Sequence, residues 1–252
     1  MINNPATMQT PRIPFKDMPV VILCGGKGTR LREETEYRPK PMVEIGRNPI
    51  LWHIMKLYGH YGFERFILCL GYKGWVIKQF FLRYHEYESD LTIHLDGSRP
   101  PELLNRPAHE PWRVTCAETG EETATGARLW RVRDYVETGT FLFTSGDAVG
   151  DVDIPGLLDL HWREGRTATV TGVHPTSRYG EMRVEGHRAL EFNEKPTIAE
   201  GYVSGGFFVF ERSVFDKYLN PDPQLFLELE PLRNLARDGE LTVYPHEGFW
   251  HP

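Results

Sequence analysis

The stretch that decides the fold is Val20-Val21-Ile22-Leu23-Cys24-Gly25-Gly26-Lys27-Gly28-Thr29-Arg30-Leu31. Val20 to Leu23 is a continuous apolar run with no polar alternation, which predicts a strand buried on both faces, as in a parallel sheet covered by helices. Three glycines, Gly25, Gly26 and Gly28, then end the run abruptly. Glycine accepts positive φ and lets backbone N–H groups come close to an anion, while Lys27 and Arg30 add full positive charge. The reading is a strand that runs into a phosphate cradle. Ten residues on, Arg38-Pro39-Lys40-Pro41-Met42 holds Lys40 on a proline-stiffened loop, because the fixed φ of proline limits where the lysine can point. Two loops thus aim cations at one place.

The rest of the chain fits a small anionic ligand better than a polymer. A length of 252 residues can bury a sizeable core in one large α/β domain. Hydrophobic residues make up 40% and charged residues 25%, ordinary values for a folded globular chain. The net charge of −6 argues against nucleic acid as partner, so the cations of the two loops are local devices. No apolar run approaches the roughly 20 residues that span a bilayer, and no signal peptide opens the chain, so a cytoplasmic protein without a membrane partner is expected. Cys24, Cys69 and Cys116 sit in or beside apolar segments with no close pair and read as buried thiols, and the ten histidines lack the spacing of a zinc site.

Taken in order, residues 1–17 show no periodic pattern and are expected to form a flexible arm or an oligomer contact, ahead of a single domain over 18–252. Glu33 to Tyr37 is too polar for a core and is expected over the ligand site that the two loops form. Helical spacing predicts helices over Ile50–Tyr61, Trp75–Tyr84, Ile154–Glu164 and most of Gln224–Asp238. Strands are expected at Phe66–Leu70, Leu91–Leu95, Val114–Ala117, Phe141–Thr144, Thr167–Val173 and Tyr202–Phe210, with Leu241–Tyr244 as the last. A hairpin-like pair is expected at Tyr179–Val184 and Ala189–Asn193. Asp96–Trp112 carries four prolines and fits no element. The polar loop Glu118–Arg128 opens a helix whose first amides would be free for a ligand. Ser145-Gly146-Asp147 closes a buried strand, where an open α/β sheet binds its ligands. Asp147 there could meet a metal and phosphates, or merely cap the turn.

Gly-Gly-x-Gly-Thr-Arg-Leu at 25–31 followed by Pro-Lys-Pro-Met at 39–42 resembles the signature of the sugar-1-phosphate nucleotidylyltransferases. Val43-Glu44-Ile45-Gly46 and Pro49 to Lys56 look like the glucose-1-phosphate cytidylyltransferase branch. The resemblance runs from Pro19 to Pro252. It implies a Rossmann-like mixed, mainly parallel sheet flanked by helices with a small β-hairpin sugar-binding part. It also implies CTP and a sugar 1-phosphate as substrates, Mg²⁺ as cofactor, and a homo-oligomer. By the same resemblance Leu23, Cys24, Gly25, Gly26, Lys27, Gly28, Thr29 and Arg30 would wrap the nucleotide, with Arg30 on the triphosphate and Lys40 on the reacting phosphates. Glu121, Gly126 and Arg128 would hold base or ribose, Asp147 the metal, and Gly146, Gly205, Glu194 and Lys195 the sugar phosphate, Lys195 as a third catalytic cation. Arg128, with five donors, suits the acceptors of cytosine.

The chain departs from the branch in having Ser145 and Ala148 around Gly146-Asp147 where Tyr and Gly are usual. It also has Ala127 for a glycine and Ser204 for an asparagine. The family continues past its tryptophan-proline segment into Met-Asp-Thr, whose aspartate is the second metal ligand, and a domain lacking that segment is the expectation here. A catalytically weak nucleotide-sugar-binding homologue, serving as a regulatory or structural subunit, is therefore the alternative to an active enzyme.

Overall fold

A computed structural model describes residues 13–26, 37–105, 110–174, 181–185, 187–193 and 201–252. Its main sheet has seven strands: β1 Pro19–Leu23, β2 Arg65–Leu70, β3 Arg113–Glu118, β4 Thr140–Ser145, β5 Ala168–Val173, β6 Val203–Glu211 and β7 Leu241–His246. They lie in the order β7-β5-β6-β4-β1-β2-β3. β1 is parallel to β2 and β4, β2 to β3, and β5 to β7, whereas β6 runs antiparallel to both of its neighbours. The sheet is mixed and mainly parallel, as expected.

Among the helices that flank it are α1 Ile50–His60, α2 Gly74–Leu82, α3 Thr125–Arg131, α4 Ile154–Glu164 and α5 Glu230–Arg237. The pleat of β1 sends Val20 and Ile22 to one face and Val21 to the other, all fully buried. On the first face they join Leu51, Ile54, Met55 and Tyr58 of α1, Ile77 of α2, and Leu157 and Leu158 of α4. On the second face Val21 joins Phe141, Phe143, Phe208 and Phe210 beneath Ala127 and Leu129 of α3 and Leu235 of α5. The apolar run at 20–23 is thus what a central strand between two helical layers requires. Because β1, β2, β3 and β4 all point the same way, their carboxyl ends open on one edge, and that edge carries the site.

Several expectations need correction. Leu91–Leu95 is not a strand of the sheet: Asp90–Thr92 pairs with Glu102–Leu104 in an outlying ribbon, and Leu95 is 95% exposed, so that run has nothing to bury against. Helix over Gln224–Asp238 is confined to Glu230–Arg237, since Leu225 and Leu227 are instead buried beside α3. Leu241–Tyr244 is not the last strand either, because Trp250–His251 returns to pair with Val149–Gly150. Cys24 and Cys69 are buried, but Cys116 is only partly so. At the start, Phe15 stacks on buried Phe63 at 4.9 Å between ring centroids, so the end of the expected arm is fixed to the domain. The hairpin is present as Glu181–Glu185 with Arg188–Asn193.

Candidate active site

A cleft of about 320 Å³ opens at the carboxyl ends of β1 and β4, lined among others by Gly25, Gly26, Lys40, Thr123, Ser145 and Asp147. Its floor is made by tight backbone crossings. The Gly146 N–H donates to the Leu23 carbonyl at 2.9 Å, and a Cβ on Gly146 would stand 2.4 Å from that same oxygen. Only glycine lets the turn after β4 pass this close beneath the end of β1, and that passage delivers Asp147 to the cleft. Gly146→Ala should therefore cost about 1–3 kcal/mol, by analogy with overpacked cores, or displace Asp147. A lowered melting temperature together with at least a tenfold loss of turnover is expected; unchanged values for both would show that the crossing tolerates a methyl group.

Asp147 is held from two sides. Ser145 Oγ donates to Oδ1, and Lys40 Nζ donates to Oδ2 at 2.9 Å. Lys40 reaches it from a single 3-10 turn, Lys40–Met42, that starts after Pro39 with an extended ψ of 150°. The ion pair is partly open, with side-chain exposures of 20% for Lys40 and 36% for Asp147. Such pairs contribute about 0.2–1 kcal/mol, so Lys40 can leave Asp147 at small cost. Cys24, also in the cleft wall, is fully buried, and burial pushes its thiol well above the ordinary range. It stays protonated near neutral pH and is no nucleophile.

Arg128 is placed differently from its sequence reading. It is 4% exposed. Nη1 donates to the Leu70 carbonyl at 3.0 Å and to Thr119 Oγ1 at 2.9 Å, and Nη2 donates to the carbonyls of Gly25 at 3.1 Å and Glu121 at 3.0 Å. The four terminal N–H groups thus already have acceptors within the chain, whereas a reader of the cytosine edge would be expected to present an open guanidinium. Glu121 is exposed in the loop after β3, with its carbonyl in that grip.

Gly126 owes its identity to packing: a Cβ there would lie 2.9 Å from the Leu225 carbonyl. The amides of Ala124 and Ala127 donate to the carbonyls of Pro223 and Leu225, so two of the amides at the start of α3 are already taken by the chain itself. Gly205 is buried against β5, its would-be Cβ 2.9 Å from Val173 Cγ1, and its carbonyl accepts from Trp250 Nε1 at 2.8 Å. Its neighbour Gly206 has a φ of 80°, and a Cβ there would have Ser145 Cβ as its nearest neighbour at 3.8 Å. Gly206 and Ser145 were visible in the sequence only as a second glycine and as a departure from the usual tyrosine.

Leu23, Cys24, Gly25, Gly26, Lys40 and Asp147 line one cleft, with Gly146 bonded to Leu23 at its floor. Lys27, Gly28, Thr29, Arg30, Glu194, Lys195 and most of Glu33–Tyr37 lie outside the described residues. Among the described residues no three His, Cys, Asp or Glu side chains gather into a metal cluster, and no helix is long and apolar enough to cross a membrane.

Comparison with known proteins identifies the family. The nucleotidyl transferase family model matches residues 19–251. The chain is 46% identical over 236 residues to glucose-1-phosphate cytidylyltransferase of Salmonella typhi, covering 93% of this chain and 90% of that one. It is 48% identical over 233 residues to the probable glucose-1-phosphate cytidylyltransferase of Bacillus subtilis, covering 92% and 90%. The fold is shared with HddC from Yersinia pseudotuberculosis, solved complexed with GMP-PN, at a TM-score of 0.64 and 22% identity over 93% of this chain and 92% of that one. The family-model match over residues 19–251 and these relatives, each aligned over more than nine tenths of this chain, mean that the chain belongs to the nucleotidyl transferase family, on its glucose-1-phosphate cytidylyltransferase branch.

Proposed function

We propose that this chain transfers the cytidylyl group of CTP to a sugar 1-phosphate, α-D-glucose 1-phosphate first among them, giving a CDP-sugar and pyrophosphate. The observation that carries this reading is the Lys40–Asp147 pair beside the glycine turn, at the shared mouth of β1 and β4. A cation held only by a partly exposed ion pair, and a carboxylate beside it, suit two polyanions that must be brought together. A phosphate oxygen of the sugar 1-phosphate attacks the α-phosphorus of CTP in line. A new P–O bond forms as the bond to the bridging oxygen breaks, and pyrophosphate leaves with the electron pair. The attacking monoester is already nucleophilic, so the protein supplies position and charge rather than a covalent intermediate.

The residues have fixed parts in this scheme. Leu23 to Gly26 form the wall against the triphosphate, Lys40 leaves Asp147 for the reacting phosphates, and Arg30 adds charge on the triphosphate. Glu194 and Lys195 hold the sugar phosphate. Asp147, with the Ser145 hydroxyl on its other oxygen, is an oxygen donor of the kind hard divalent cations take, and Mg²⁺ suits one or two protein carboxylates with phosphate and water filling the shell. When bound, that ion would offset charge on the α- and β-phosphates. The same reading entails a cytoplasmic homo-oligomer that works on small molecules.

Pyrophosphate release, measured with each of the four ribonucleoside triphosphates against a panel of sugar 1-phosphates, tests the proposal. CTP with glucose 1-phosphate is expected to lead by at least tenfold in kcat/KM. Equal rates with UTP would remove the base assignment, and no release with any pair would remove the activity.

A further inference from the structure

The Arg128 guanidinium ties together the carboxyl ends of three adjacent parallel strands: Gly25 beyond β1, Leu70 at the end of β2, and Thr119 and Glu121 beyond β3. Strand ends that point the same way leave outward-facing carbonyls, and carbonyl dipoles repel a polyanion. Here a buried cation covers them, with no carboxylate among its four partners. Burial pulls its pKa down from the ordinary arginine value, yet a guanidinium remains charged across the physiological range.

Two glycines are shaped around the same group. A Cβ on Gly25 would meet Nη1 at 2.1 Å, and a Cβ on Gly71 would meet it at 2.4 Å with the Gly120 carbonyl at 2.9 Å. The guanidinium is therefore clasped between the glycine turn and the turn after β2. Arg131, one turn further along α3, repeats the device by donating to the Thr119 carbonyl at 2.6 Å and to Thr123 Oγ1 at 2.9 Å. Two arginines of one short helix thus fasten the loop 119–123 to the rest of the floor.

We propose that Arg128 is a positioning residue that fixes the distance between the glycine turn and the loop carrying Glu121, so that triphosphate and base sites are set as one unit. This deepens the cytidylyltransferase reading and rests on it for the choice of ligand. A direct base reader and a clamp leave different marks. A reader lost from the site collapses the preference for CTP over UTP and leaves pyrophosphate binding alone. A clamp lost from the floor weakens CTP, UTP and pyrophosphate together, because Gly25 moves with Glu121.

Two variants test this. Arg128→Lys keeps a charge but loses the planar fork, and Gly71→Ala keeps Arg128 but drives a methyl group into it. For both, KM for CTP and for UTP is expected to rise at least tenfold in step, KM for the sugar 1-phosphate to stay within threefold, and the dissociation constant for pyrophosphate to rise at least fivefold. Amide hydrogen exchange in the free protein supplies a readout that needs no ligand. Exchange over 119–123 should accelerate at least tenfold in Arg128→Lys while β1 stays protected. A CTP-to-UTP ratio that collapses with unchanged pyrophosphate binding, or exchange over 119–123 that matches wild type, overturns the clamp. Accelerated exchange in a protein whose wild type binds no CTP would retain the clamp and discard the functional reading.

Discussion

Asp147→Asn is expected to abolish metal-dependent turnover, by at least about 10³, while leaving the fold in place. The substitution is isosteric, and Ser145 and Lys40 both keep an oxygen or amide within reach, so no buried charge is left alone. Only the negative charge is lost. Placing a divalent cation against the reacting phosphates contributes several kcal/mol to the barrier, and each 1.4 kcal/mol is a factor of ten, which sets the scale of the loss. Raising the Mg²⁺ concentration should recover little of it, because an amide oxygen is a poor substitute for a carboxylate. The check is pyrophosphate release over a Mg²⁺ titration, alongside a thermal melt expected within a few degrees of wild type. Turnover within tenfold of wild type would leave Asp147 as a turn cap, the simpler role open to it from sequence.

The parts of this site legible in the sequence are those whose signal is local. Val20–Leu23 could only be a two-sided buried strand, and Leu51, Ile54, Met55 and Tyr58 could only be one face of a helix, and both are so. Gly146-Asp147 at the end of an apolar run was placed by the rule that open sheets bind beyond their carboxyl ends. What the sequence could not express is who fills the space around a residue. Arg128 after a glycine looks the same whether it faces a base or three backbone carbonyls. Gly126 and Gly205 look like openings for a ligand, yet Leu225 and Val173 stand where their side chains would be. Leu91–Leu95 has the apolar content of a strand but no partner to hide it, and periodicity carries no information about partners. The return of Trp250–His251 onto Val149–Gly150, just past Asp147, depends on contact across a hundred residues and left no local trace.

Lys40→Ala is expected to produce two changes of opposite sign, and that contrast separates its role from a structural one. Turnover should fall by about 10² or more, because a charge-assisted contact to the reacting phosphates, strongest as charge develops, is gone. The fold should survive, since the partly exposed pair with Asp147 contributes no more than about 1 kcal/mol and Pro39 and Pro41 keep the loop in shape. In the free protein, however, Lys40 is the cation that already occupies Asp147 Oδ2. Removing it frees that oxygen, so binding of Mn²⁺, a spectroscopically visible substitute for Mg²⁺, should tighten without nucleotide by up to about fivefold, which is the same 1 kcal/mol read as an affinity. Titration calorimetry or electron paramagnetic resonance on wild type and variant measures this directly. Weaker Mn²⁺ binding in the variant would mean that Lys40 supports the carboxylate rather than competing for it, and the exchange of Lys40 from Asp147 to phosphate would have to be abandoned.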